Sequence, residues 1–332
     1  MKGVLAALHG NLPAREMLSR LLEQGRLPHA LCLTGPTGVG KRTVALALAR
    51  VLMCRREASD DCDCIPCMKI GKGIHPDVRT IVKDGTMLKI DQMRELTRLV
   101  RLKPYEADVK LFIVDDADLM NEEAGNALLK TLEEPPPGTY LVLTTARPDV
   151  LLPTIRSRCR IVRFQPLPRR EVASILASRG MAAPEADRRA LFSCGSVGTA
   201  LSLDLPAAEE RRKGVVDLLG TLSRGALASE IWKLAKDGGA EREESEATIE
   251  LLKTLTRDMA LLARVGPVAG LEHPDIAGDL EPIAARLGPE GTIALYRQAE
   301  AAREALTHFA PRTLALEVLY LRARELMGAL PS

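Results

Sequence analysis

The sequence predicts an α/β domain built on a parallel sheet, followed by helices alone. Three observations predict it. An apolar strand, a glycine-rich loop and a helix follow one another across residues 29–53, the order a phosphate-binding loop requires. Two more continuous apolar runs, 109–114 and 140–145, alternate with helical sequence, as strands covered by helices on both faces do. After Phe164-Gln165-Pro166-Leu167-Pro168 the strand signal stops. The predicted boundaries are an α/β domain over 1–165, a small helical domain over 166–205 and a helical domain over 206–332.

The elements follow in order. The first residues, Met1 to Leu5, begin an amphipathic segment broken by Pro13, which is not a secretory signal. His29-Ala30-Leu31-Cys32-Leu33-Thr34 is the first strand, and the alanine- and leucine-rich residues 43–53 are its helix. Asn121 is placed to cap a helix running to Glu134, which Pro135-Pro136-Pro137 ends. Residues 169–205 predict short helices punctuated by Gly180, Pro184 and Gly195, and Pro206 opens a long helical stretch. Its last part spaces Leu314, Leu316, Val318, Leu319, Leu321 and Leu326 as a helical face. No run approaches the ~18 apolar residues of a membrane span, so a soluble, cytoplasmic protein is expected. A net charge of +2 does not point to nucleic acid, and 3% aromatic residues supply a base-stacking surface poorly.

Gly35-Pro36-Thr37-Gly38-Val39-Gly40-Lys41-Arg42 is a phosphate loop with one departure. In the pattern G-x-x-x-x-G-K-[ST], backbone amides and the lysine cradle phosphates while a hydroxyl ligates magnesium. Arg42 stands where that hydroxyl belongs, and Thr43 comes one residue late. A guanidinium repels a metal cation. Asp115 and Asp116 end the second strand, where one acid supports magnesium and the next polarises water. Asp116 is one methylene shorter than the glutamate usual in an active motor, a difference of roughly 1.5 Å. Cys54, Cys62, Cys64 and Cys67 put four of the seven cysteines within fourteen residues, a spacing suited to structural zinc. Cys32, Cys159 and Cys194 stand apart as buried small hydrophobes. Ser157-Arg158-Cys159, taken alone, is a basic surface turn.

Together these pieces resemble the clamp-loader AAA+ family over about the first 205 residues. Asn126-Ala127-Leu128-Leu129-Lys130-Thr131-Leu132-Glu133-Glu134-Pro135-Pro136 looks like its signature helix, and Ser157-Arg158-Cys159 like its SRC motif. The cysteines, followed by His75-Pro76-Asp77, fall where bacterial members carry a zinc module, and Thr144 and Thr145 fall at sensor 1. The resemblance implies a RecA-like AAA+ sheet domain with a zinc module, a small helical lid and a helical collar that joins subunits into an open ring. Gly195-Ser196-Val197-Gly198 has glycine where the sensor 2 arginine of G-S-x-R belongs.

Arg42, Asp116 and Gly198 therefore depart together while Arg158 is kept, which implies a non-motor member. Arg158 is then an arginine finger acting in trans. Gly35, Gly38, Gly40, Lys41, Thr43, Asp115, Asp116 and Thr145 form a degenerate ATP site, with ATP and magnesium weakly held or absent. The implied partners are gamma/tau motor subunits and a delta subunit, and, through the complex, a sliding clamp and primed DNA in the cytoplasmic, nucleoid-associated replisome. A polymerase label would describe that assembly, not this polypeptide. The alternatives are an active gamma/tau-like ATPase using Thr43, and a zinc-dependent nucleic-acid module using Arg98, Arg101 and Lys103.

Overall fold

The computed structural model describes residues 5, 9–56, 58–59, 62–238, 241–266, 270–307 and 310–328, so the expectation for residues 1–4 lies outside the described residues. The chain forms two compact units, 1–202 and 203–332.

The first unit holds five parallel strands in the order β2-β3-β4-β1-β5. They are β1 (Ala30–Thr34), β2 (Val78–Ile81), β3 (Lys110–Val114), β4 (Thr139–Thr145) and β5 (Arg160–Arg163). Around them lie α1 (Leu12–Glu23), α2 (Lys41–Met53), α3 (Ile65–Gly71), α4 (Ile90–Val100), α5 (Glu122–Glu133) and the short α6 (Pro153–Arg156). The pleat sends alternate side chains to opposite faces. Leu31, Leu33, Leu111, Ile113 and Val142 join one core with Leu18 of α1 and Leu48 of α2. Cys32, Phe112, Val114, Leu141 and Leu143 join the other with Met93 of α4 and Leu128 of α5. Covering both faces is why the central strands are apolar without a break.

The outer strands β2 and β5 show no such run. Each is an edge strand with one buried residue, Val78 or Val162. Pro13 sits in the first turn of α1, where its ring is tolerated, instead of breaking a helix. Asn121 caps α5, its side-chain oxygen accepting from the Ala124 amide at 2.9 Å. The first unit ends in α7 (Arg169–Ser178), α8 (Ala183–Phe192) and α9 (Val197–Ser202), which share a small core of Leu167, Val172, Ile175, Leu176, Ala186 and Ala200.

The second unit contains α10 (Leu205–Ser223), α11 (Ala228–Asp237), α12 (Arg242–Val265), α13 (Ala277–Thr307) and α14 (Arg312–Leu326). Its core includes Leu255, Met259, Leu280, Leu295, Leu316 and Leu319. Asp258, fully buried on α12, accepts from the amides of Glu272 at 2.9 Å and His273 at 2.7 Å, which fixes the approach to α13. α13 kinks at Gly288, whose φ of 66° lies outside helical values. On α14 the buried face is Ala315, Leu316, Leu319, Tyr320 and Ala323. Leu314 and Val318, expected on that face, are 54% and 47% exposed. Within a run this rich in leucine, apolar spacing alone does not distinguish the stripe that packs from its neighbour. Among the described residues, no helix is long and apolar enough to cross a membrane.

Candidate functional site

Parallel strands point their carboxyl ends the same way, so the segments after β1, β3 and β4 meet. The phosphate loop, the acidic pair and Thr144 line one cavity of about 570 Å³, together with residues of α7 and α9. Lys41 is buried, and its Nζ donates to the carbonyls of Gly35 at 2.6 Å and Pro36 at 2.7 Å. Burial lowers its pKa, against the opposing pull of Asp116, Asp115 and Asp118. Thr43 lines the cavity one residue along α2 from Arg42.

Both carboxylate oxygens of Asp115 are engaged. Arg42 Nη1 lies 3.4 Å from Oδ2, and the Thr144 hydroxyl donates to Oδ1 at 2.6 Å. The Arg42 side chain is half exposed, so the pair contributes only about 0–1 kcal/mol to stability. Its weight is positional: a fixed cation faces the carboxylate that would support magnesium, and the hydroxyl that completes such a site is replaced by that cation. The residues present do not fit a magnesium ion. Asp116 adopts left-handed backbone angles (φ 51°, ψ 53°), and its amide donates to Thr144 Oγ1 at 3.1 Å. Burial pushes its carboxyl pKa up, with further upward pressure from Asp115 and Asp118.

Thr145, expected in the ATP site, points elsewhere. Its hydroxyl donates to Asp118 at 2.7 Å and accepts from the Arg147 amide at 2.9 Å, and Asp118 pairs with Arg147 at 2.8 Å. Strand alternation gives Thr144 to the cavity and turns Thr145 away from it.

The start of α9 rests directly on the phosphate loop. The Gly198 amide donates to the Gly38 carbonyl at 3.0 Å. A Cβ on Gly198 would lie 2.8 Å from Gly38 Cα, and one on Gly38 would lie 2.2 Å from Ser196 Oγ. The position expected to have lost an arginine has no room for any side chain. Gly198→Ala is expected to destabilise the protein by about 1–3 kcal/mol, measured by urea unfolding; unchanged stability would count against this close packing.

Arg158 follows α6 and is one-third exposed. Its Nε donates to Glu133 Oε1 at 2.7 Å, Nη2 pairs with the same oxygen, and Nη1 donates to the Thr154 carbonyl at 2.9 Å. The end of α5 thus holds the arginine outside the chain's own phosphate-loop cavity. Cys159 beside it packs against the sheet core, and burial raises its thiol pKa to about 12. Of the three cysteines expected to be buried, Cys32 is buried, Cys159 is half-buried and Cys194 is exposed, with a left-handed φ of 48°.

The four clustered cysteines come together. Their sulfurs lie within 4.8 Å of one another, Cys54 at 3.6 Å from Cys62 and 3.7 Å from Cys64. Four thiolates around a metal at about 2.3 Å stand roughly 3.8 Å apart, so the group fits a tetrahedral ion. Burial pushes Cys54 and Cys67 up; at Cys64 it is outweighed by hydrogen bonds, the Cys67 amide first, which bring that thiol down to about 7. His75-Pro76-Asp77 lies beyond α3. Buried Asp77 accepts from the amides of Tyr105 and Glu106 at 2.7 Å and Ala107 at 2.9 Å, which fixes the chain before β3. Arg98 forms a bidentate pair with Glu95 at 2.7 Å on the solvated side of α4, and Arg101 and Lys103 are exposed.

The profile of a family described as DNA polymerase III, delta subunit, matches residues 11–168. DNA polymerase III subunit delta' of Escherichia coli is 32% identical over 282 residues, 83% of this chain and 82% of that protein. The chain belongs to the delta' family of DNA polymerase III subunits. Subunit delta' of Bacillus subtilis is 39% identical over 46% of each chain, so that match spans less than half of the relative. The delta' subunit of Pseudomonas aeruginosa is 34% identical over 64% of this chain and 66% of its own length. In this delta' family member the profile covers the phosphate loop, the cysteines, the acidic pair and Arg158. The Escherichia coli match is longer than the 202 residues of the first unit, so the likeness reaches beyond it.

Sequence reasoning did not single out Glu133 as the partner of Arg158, the Asp118–Arg147 pair, or Arg15. Arg15 was legible in one respect: it falls on the buried stripe of α1, with Ala14, Leu18 and Ser19.

Proposed function

We propose that this chain is a non-motor clamp-loader subunit that lends Arg158 to the ATP site of a neighbouring motor. Gamma/tau motor subunits and a delta subunit are its partners, with the sliding clamp and primed DNA reached through the complex. What supports the proposal most is the pairing of Arg42 with Asp115, a fixed positive charge where catalysis in this cleft needs a divalent ion. Arg158 suits the task because a guanidinium is planar and permanently charged, and offsets charge developing on a transferred phosphoryl group. The proposed division of labour is a nucleotide-binding-like domain over 1–165, a lid over 166–205 and an oligomerising collar over 206–332. Cys54, Cys62, Cys64 and Cys67 hold structural zinc, four thiolates leaving no open position for a substrate. The setting is the cytoplasmic replisome.

The competing motor reading draws on the intact Lys41 and loop glycines. ATP turnover by the purified chain with magnesium separates the two. The proposal expects no hydrolysis above background. Steady hydrolysis abolished by Lys41→Ala would instead make the chain a gamma/tau-like ATPase.

A further inference from the structure

The connection from α4 to β3 is held mainly by polar groups. Leu102 and Tyr105 are 51% and 83% exposed, so neither large apolar side chain anchors it. From 101 to 107, only Ala107 packs against a sheet core among the described residues.

Three polar grips take the place of apolar anchors. Lys110, buried on β3, donates to the carbonyls of Leu99, Val100 and Leu102, the Val100 contact at 3.0 Å, and so caps the end of α4. The Asp77 carboxylate holds the amides of Tyr105, Glu106 and Ala107. The third grip reaches in from the cysteine module: Lys69 Nζ donates to both carboxylate oxygens of Glu106, at 2.5 and 2.7 Å.

The first two grips are tied to the sheet. Lys110 belongs to β3, and the Asp77 carbonyl accepts from the Leu111 amide of the same strand at 2.9 Å. Lys69 has no such tie. It sits on α3, and a helix of seven residues does not stand alone in water. Ile70 is the only residue of α3 in a sheet core. Cys64 is the N-cap of α3 and Cys67 is buried in its first turn, so two of the four candidate ligands fix the turn just before Lys69. Lys69 and Glu106 are each about one-third exposed, which makes their pair a modest, local restraint.

We infer that the cysteine module braces the 105–107 segment through Lys69, so that loss of the metal loosens a loop remote from the cysteines in sequence. The inference rests on the zinc reading above and deepens it: the module orders a second segment besides its own. Lys69 is a positioning residue, and Tyr105 is the side chain whose presentation it steadies.

The test is amide hydrogen exchange of the full chain with and without a chelator, zinc content being measured on the same samples. Chelation is expected to speed exchange at Tyr105, Glu106 and Ala107 about fivefold. The amides of Arg101 and Leu102, which donate to the carbonyls of Arg98 and Leu99, should not change. Lys69→Met is expected to keep its zinc and to speed exchange at 105–107 by the same factor, with no further rise on chelation. Lys69→Arg, which keeps the charge, should restore slow exchange. Zinc present and lost on chelation, with exchange at 105–107 unmoved, overturns the brace and leaves the metal in place. So does unchanged exchange in zinc-loaded Lys69→Met, a further rise in that variant on chelation, or an equal rise across β3, which marks general unfolding. Protein without zinc overturns the metal assignment and the brace together, and the metal content distinguishes that failure from the others.

Discussion

Under the proposed trans role, replacing Arg158 with alanine is expected to lower ATP turnover at one neighbouring site by about 10³–10⁵. Sites supplied by other arginines continue, so total turnover of the reconstituted complex falls by the share of that one site; single-turnover hydrolysis on primed DNA resolves it. Arg158→Lys should not rescue the loss, because an ammonium lacks the planar fork of a guanidinium. Glu133→Gln is the informative companion. It loosens the pair that holds the arginine within its own chain and keeps the arginine itself, so turnover should be retained. If Glu133→Gln were as damaging as Arg158→Ala, the ion pair would be structural and the trans role would be lost.

The second large effect concerns the four cysteines. Freshly purified protein is expected to contain about one zinc per chain, and Cys64→Ser to remove it. Structural zinc in small modules is bound with roughly 10–16 kcal/mol of apparent free energy at neutral pH. The described residues from Cys54 through α3 contribute little to the sheet cores, so the proposed metal would be what orders them. Hydrogen exchange should rise sharply across that segment on chelation and stay low in β1, β3 and β4. Well under one zinc per chain, or unchanged protection after chelation, would remove the metal from the account.

The central sheet was legible because β1, β3 and β4 are buried on both faces, and that burial imposes a continuous apolar run. The edge strands β2 and β5 were not legible, because a strand with one buried residue leaves no such signature. The cysteines, the acidic pair and Arg158 could be picked out by residue type and spacing. What they touch could not. Nothing in Thr144-Thr145 says which hydroxyl meets Asp115; the pleat decides it. Nothing in Gly198 distinguishes a lost arginine from a glycine required by contact with Gly38, since the reason lies 160 residues away in the chain. Leu314 and Val318 failed for the reverse reason: apolar character was present, but no partner covers them within the described residues.

The most direct test crosses two substitutions in one reconstitution. ATP turnover by the motor subunits on primed DNA is measured alone and with this chain as wild type, as Lys41→Ala and as Arg158→Ala. The account predicts equal stimulation by wild type and Lys41→Ala, and loss of the served site's turnover with Arg158→Ala. Turnover that disappears with Lys41→Ala and survives Arg158→Ala would contradict it.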